Sequence, residues 1–224
     1  MSIIEKMRKD IRMIEGLKSC MNCGICTAIC PAAEFYDYDP RMLITIVQTK
    51  DEEKLISLLK SDTIWFCGQC MSCKTRCPRG NCAGQVISVL RQYSQELGYF
   101  TESKYGRQQF AILKTIGANI LKYGYCIHPS EVKPELHPEQ GPIWEWVFEN
   151  REKVFEKLGA NLDKAGPGAF RKLSPESLQD LQNIFDVTGG TDLFNKIEEH
   201  SKKRFNGRTE SEYINDIFTG TDKN

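Results

Sequence analysis

The chain has 224 residues and equal numbers of basic and acidic side chains (30 Lys+Arg, 30 Asp+Glu), so its formal net charge is zero. Neither half departs far from neutrality, which excludes a basic nucleic-acid-binding half and an acidic tail. A chain this long buries roughly 70% of its unfolded surface, so its ten cysteines are not needed as disulfide staples.

In chain order, Ile3, Ile4, Met7, Ile11 and Ile14 fall at helical spacing and predict one helix over 3–15, stopped by Gly16. Glu5, Lys6, Arg8, Lys9, Asp10, Arg12, Glu15 and Lys18 leave no room for an apolar signal-peptide core. The expectation is a soluble, cytoplasmic protein with reduced thiols. A string of cysteines follows at once: Cys20-x2-Cys23-x2-Cys26-x3-Cys30, then Pro31. Asp39-Pro40 reads as an N-cap with proline in the first turn. Leu43, Ile46 and Val47 give one helical face, and Leu55, Leu58 and Leu59 another. The string then recurs 47 residues on, as Cys67-x2-Cys70-x2-Cys73-x3-Cys77 followed by Pro78.

Beyond it, Asn81 reads as the cap of a helix facing inward through Val86, Val89, Leu90, Tyr93 and Leu97, ended by Gly98. Thr101 reads as the next cap, with Phe110, Leu113, Ile116, Ile120 and Leu121 inward and Gly124 at the end. Phe110–Leu121 is the best candidate for a membrane span, and Lys114 interrupts it. Pro129, Pro134, Pro138 and Pro142 forbid a continuous helix over 126–142 and predict an extended segment. Helices resume at Pro142 (Trp144, Val147, Phe148, Phe155, Leu158), at Ser174-Pro175 (Leu178, Leu181, Ile184, Phe185) and after Thr191. A capping box, Thr209-x-x-Glu212, opens the last, with Tyr213, Ile214, Ile217 and Phe218. No alternating strand pattern occurs. The predicted fold is all-α, with a cysteine-bearing helical domain over 1–100 and a helical extension over 101–224 for docking a partner.

Four soft thiolates and a proline in so short a stretch suit a [4Fe–4S] cluster, and two copies predict two clusters. Zinc normally takes four ligands from two cysteine pairs, and eight this regular do not fit one zinc. In two-cluster bacterial ferredoxins the fourth cysteine of the run ligates the other cluster. Applied here, that rule assigns Cys20, Cys23, Cys26 and Cys77 to one cluster, and Cys67, Cys70, Cys73 and Cys30 to the other. Gly24 and Gly68 each follow a cysteine and are expected to relax the backbone. Met21, Ile25, Ala28, Ile29, Phe66 and Met71 are expected to exclude water. Lys74, Arg76 and Arg79 lie in or beside the second string, whereas Glu34, Asp37 and Asp39 follow the first. This predicts a higher potential for the cluster of Cys67, Cys70 and Cys73. Cys82 follows the Asn81 cap, where a thiol pKa can fall, although a small apolar filler is the favoured role for it and for Cys126. His128, His137 and His200 read as surface or turn residues, and Trp144, Phe148 and Phe155 as core or partner contact.

The strings and their setting, "CMNCGICTAICP" at 20–31 and "DTIWFCGQCMSCKTRCPR" at 62–79, resemble the α-helical ferredoxins. More closely, they resemble the HdrC-type relay component of heterodisulfide reductase and its bacterial relatives. The resemblance covers the first half of the chain strongly and 98–125 more loosely. It implies an electron relay between an HdrA-like FAD/iron–sulfur subunit and an HdrB-like subunit whose CCG motifs handle the disulfide. No two cysteines are adjacent here, so the CCG motif is absent, which implies the relay and not the catalytic subunit. The stretch from His128 onward resembles bacterial Hdr-like complexes of sulfur metabolism. The alternatives are a free soluble dicluster ferredoxin carrier and an enzyme with its own substrate site. The last ranks lowest, because no nucleophile–base pair or nucleotide loop accompanies the cysteines.

Overall fold

Residues 3–15 form two helices instead of one in the computed structural model, which describes residues 2–134, 137 and 140–220. Ser2 and Glu5 close a capping box on α1 (Ile3–Met7). Asp10 then takes an extended conformation and its carboxylate accepts the Arg12 N–H at 2.8 Å, capping α2 (Ile11–Leu17). A charge in the apolar pattern is thus a helix start. Gly16 lies inside α2 and is buried, so it is not the stop the sequence suggested.

Contacts divide the chain into two units, Met1–Arg107 and Gln108–Asn224. The first continues with α3 (Ile25–Ala28), α4 (Pro40–Thr49), α5 (Glu52–Lys60), α6 (Ser72–Arg76) and α7 (Ala83–Glu96). Its core joins Met7 and Met13 to Leu43, Val47, Leu55, Leu59, Ile64, Val86 and Leu90, all 0–2% exposed. Burial of each such side chain contributes about 1.5–3 kcal/mol before entropy is counted. Ser94, fully buried on α7, donates its hydroxyl to the Leu59 carbonyl at 2.6 Å and so fixes α7 on α5. The predicted faces of α4, α5 and α7 are inward, except that Leu97 is 41% exposed beyond the end of α7.

Asp39 caps α4 as predicted, accepting the Arg41 and Met42 N–H groups at 2.9 and 3.2 Å, and it also bonds the Thr27 hydroxyl. Burial raises its pKa, but the hydrogen bonds from Thr27, Met42 and Arg41 outweigh burial and hold the carboxylate below its usual range. A depressed folded pKa places the stabilisation above the unfolded value of about 3.9, and the stabilisation is lost as pH falls through the lower folded value. Asp39→Ala is therefore expected to cost about 1 kcal/mol. Denaturation midpoints of the two chains should differ equally at about pH 7 and about pH 5 and converge below about pH 4. A gap that persisted in acid would assign the effect to something other than the carboxylate.

The next cap is Ser103 and not Thr101. The Ser103 hydroxyl accepts the Gly106 N–H at 2.9 Å at the start of α8 (Lys104–Ile112), whereas Thr101 bonds back to the Gly98 carbonyl in a 3-10 turn, Tyr99–Glu102. In the second unit the helix runs through a π turn, Leu113–Gly117, into α9 (Ala118–Tyr123), and Gly124 ends it at φ 77°. No α-helix occurs among the described residues of 126–142, of which Pro138 lies outside. The helix predicted from Pro142 is split at Asn150 into α10 (Ile143–Glu149) and α11 (Arg151–Lys157). α12 (Pro175–Thr188), α13 (Gly190–Lys202) and α14 (Glu210–Thr219) follow, the last opened by the predicted capping box.

Phe110, Phe205 and Tyr213 pack as an aromatic cluster with centroids 4.9–5.7 Å apart. Lys114, which interrupts the apolar run, pairs with Glu198 and Glu210 at 3.0 and 3.2 Å. His128 is a core residue of this unit and not a surface one: it is 1% exposed and stacks on Tyr123 at 4.0 Å. Ile116, Ile184 and Phe218, predicted inward, are exposed. Among the described residues no helix is long and apolar enough to cross a membrane.

Candidate metal centre

The two cysteine strings have the same backbone. Asn22 and Gln69 are left-handed at φ 54° and 51°, and two residues later Gly24 and Met71 are left-handed at φ 85° and 59°. Each pair is separated by the 47 residues of the repeat. A short helix then carries the third cysteine, Cys26 on α3 and Cys73 on α6. Of the two glycines singled out by sequence, only Gly24 sits at a left-handed turn. Its structural counterpart is Met71, and Gly68 has no such φ. A non-glycine residue there costs on the order of 1 kcal/mol. Met71 is held by packing: its sulfur lies 3.5 Å from the Cys82 sulfur and meets Gly84 of α7.

Two cavities lie against these turns. The first encloses about 470 Å³, including its open mouth, and is lined by Cys20, Cys23, Cys26 and Cys77. The second encloses about 400 Å³ and is lined by Cys30, Cys67, Cys70 and Cys73. Cys26, Cys73 and Ala83 line both, so the cavities share a wall at the start of α7. All eight string cysteines are thereby brought together, and the last of each string reaches the cavity lined by the first three of the other. The reason is the chain direction after the third cysteine, with Cys30 opening a 3-10 turn (Pro31–Glu34) and Cys77 ending α6 in extended conformation.

Hydrogen bonds fix the rims. The Gln69 amide N–H points at the Cys67 sulfur at 3.4 Å, and Gln48 bonds the Cys20 carbonyl at 3.3 Å and Asn22 at 2.8 Å. Arg91 of α7 donates to the carbonyls of Ile64 and Cys67 at 2.7 and 2.6 Å and lies over the Trp65 ring. Burial pushes the Cys26 and Cys67 thiols up, so metal loading must expel protons there. The Ser72 hydroxyl and amide pull Cys70 down. All ten cysteines are free, and Cys23, Cys70 and Cys126 are exposed.

Other predicted residues move. Arg79 lines the first cavity, as does Arg41, so one of the three cations assigned to the second string lies at the other cavity. The potential order argued from neighbours in sequence thereby loses Arg79 from the charges on which it rests. Met21, expected to exclude water, is 60% exposed, while Phe66 stacks on Tyr36 at 4.4 Å. Cys82, not Asn81, is the N-cap of α7; it is 1% exposed, and burial raises its thiol pKa instead of lowering it. Sequence reasoning passed over Tyr38 and Arg91, which belong to no periodic or cysteine-spaced pattern.

The donor set fits two iron–sulfur clusters: eight soft sulfurs around two cavities, two of them on the shared wall, on turns that repeat. Residues 16–81 match the family model of the 4Fe-4S dicluster domain. The chain is thus a dicluster iron–sulfur protein of all-α fold with two [4Fe–4S] clusters. It is 34% identical to the HdrC component of the ferredoxin:CoB-CoM heterodisulfide reductase of Methanosarcina acetivorans, over 70% of this chain and 61% of the relative. The HdrC component of the ferredoxin/F(420)H(2)-dependent CoB-CoM heterodisulfide reductase of the same organism is 36% identical over 62% of this chain and 81% of the relative. The iron-sulfur HdrC component of the CoB–CoM heterodisulfide reductase of Methanopyrus kandleri is 30% identical over 77% and 72%. The chain belongs to the HdrC family of heterodisulfide reductase components, and its role is electron transfer.

Proposed function

We propose that the chain is the electron relay of a cytoplasmic heterodisulfide reductase-like complex, set between an HdrA-like FAD/iron–sulfur subunit and an HdrB-like CCG subunit. Cys20, Cys23, Cys26 and Cys77 hold one cluster, and Cys67, Cys70, Cys73 and Cys30 hold the other. The observation that supports this best is the wall shared by the two cavities, with Cys26 and Cys73 facing both. When bound, each cluster accepts and releases one electron. Cys23 lines one cavity and Cys70 the other, and both are exposed, which supports an entry for electrons at one cavity and an exit at the other. The Arg91 clamp and the capped helix α4 hold the cysteine turns in place, which a relay needs.

Residues 108–224 contain none of the eight ligands, and α10 and the end of α11 leave Ile143, Trp146 and Leu158 exposed. A free dicluster carrier has no use for such a unit, so a docked subunit is favoured over the carrier. Anaerobic gel filtration of native extract tests this. The chain should elute far above its monomer mass, together with a flavin protein and a CCG-motif protein. Elution at the monomer mass would replace the docked relay by the carrier.

A further inference from the structure

Each cavity is lined by one buried hydrogen-bond donor that makes no well-formed hydrogen bond to the protein, although one of the two lies within reach of the Cys67 sulfur. At the second it is the hydroxyl of Tyr38, and at the first it is the side-chain Nδ2 of Asn81. Tyr38 is 4% exposed and Asn81 6%. Leaving such a group unpaired costs about 1–3 kcal/mol, and buried tyrosines and amides normally find an acceptor. We propose that these two side chains are hydrogen-bond donors to the cluster thiolates, Tyr38 at the Cys67/Cys30 side of one cluster and Asn81 at the other, and that each sets the potential of its own cluster. The inference rests on the ligand assignment proposed above.

Both groups are held in place by contacts that do not involve a cluster. The Tyr38 ring packs edge-on against Phe66 at 6.2 Å, and Phe66 is in turn stacked on Tyr36. The Tyr38 hydroxyl has one proton to donate, and the Cys67 and Cys30 sulfurs line the same cavity. At Asn81 the side-chain Oδ1 accepts the Ser19 N–H at 3.4 Å, which orients the amide and leaves its NH2 as the unpaired end. A hydrogen bond to a thiolate stabilises the more negative, reduced cluster, and such bonds are among the levers that set these potentials. Removing one donor therefore lowers the potential of the adjacent cluster alone.

The test is a redox titration of the holo full-length chain, followed by EPR, for wild type, Tyr38→Phe and Asn81→Leu. The Cys70→Ala chain, missing a ligand of the second cavity whichever way the fourth ligands fall, shows which midpoint belongs to which cavity. A failed shift then counts against the donors and not against the assignment. In Tyr38→Phe the reduced-to-oxidised ratio of the second cluster at fixed ambient potential should fall about tenfold, a shift of about 59 mV for a one-electron couple. The first cluster should not move, and iron content should be that of wild type. Asn81→Leu should do the converse. Unmoved midpoints, or both moving together in Tyr38→Phe, would overturn the proposal. Tyr38→Phe removes a single oxygen and decides the matter alone should Asn81→Leu lose iron.

Discussion

Cys30→Ala is expected to reduce the iron of the chain to about half, and the cluster lost should be the one whose other ligands are Cys67, Cys70 and Cys73. Its position in the first string would suggest the opposite, because Cys26 lies only four residues away. The expectation follows from the lining of the cavities, which places Cys30 with Cys67, Cys70 and Cys73 and places Cys77 with Cys20, Cys23 and Cys26. Two double variants separate crossed from local ligation by iron and sulfide counts alone. With crossed ligands, Cys30→Ala/Cys70→Ala removes two ligands of the same cluster and keeps half the iron, whereas Cys30→Ala/Cys23→Ala strips both sites. Local ligation reverses the two results. Crossing also links cluster binding to folding across both halves of the repeat, since each metal then joins residues of two separate turns.

The second large effect is expected at Gly16. α2 comes so close to α7 that the Gly16 carbonyl accepts the Cys82 N–H at 3.1 Å. A Cβ at position 16 would lie 2.7 Å from Val86 Cγ2 and 3.0 Å from the Cys82 carbonyl oxygen. Alanine gains about 1 kcal/mol in helix propensity over glycine. Overpacking costs about 1–3 kcal/mol, and one of the two neighbours is backbone. The clash should win, with a net loss of up to about 2 kcal/mol for Gly16→Ala. Anaerobic urea titration of the cluster absorbance would measure it. Cluster loss should follow, because the displaced turn of α7 carries Ala83, which lines both cavities. Combining Gly16→Ala with Val86→Ala removes the worse contact, so the pair should cost less than the sum of the single variants by about 0.5–3 kcal/mol. Strict additivity, or a Gly16→Ala chain as stable as wild type, would show that α2 can retreat from α7 without loss.

Much of the fold was legible in the residues. Asp39-Pro40, the faces of α5 and α7 and the Thr209–Glu212 box announce themselves locally, because caps and helical periodicity are properties of a few neighbouring residues. Where the reading failed, a tertiary contact was responsible, except at Asp10, whose capping bond is local. Asp10 reads as one more surface charge until its bond to the Arg12 amide breaks the helix in two. Ser103 takes the capping role from Thr101 while its hydroxyl also meets Asp62 at 2.6 Å, a residue 41 positions away. Gly16 resembles a helix stop, and is a glycine because another helix passes against it. His128 has no partner in sequence that would bury it.

The site divides along the same line. By itself the sequence determined the kind of metal group and the number of its ligands, because thiolate count, spacing and the repeat are local chemistry. It determined the all-α class for the same reason. The crossed grouping of the cysteines was expected from the two-cluster ferredoxin rule, and only the tertiary structure shows the two cavities they line, Arg79 at the first of them, and Tyr38 and Asn81 buried in their walls. Those facts depend on where the chain turns after Cys30 and Cys77. That turn is fixed by the packing of α3 on α6 and of α6 on α7.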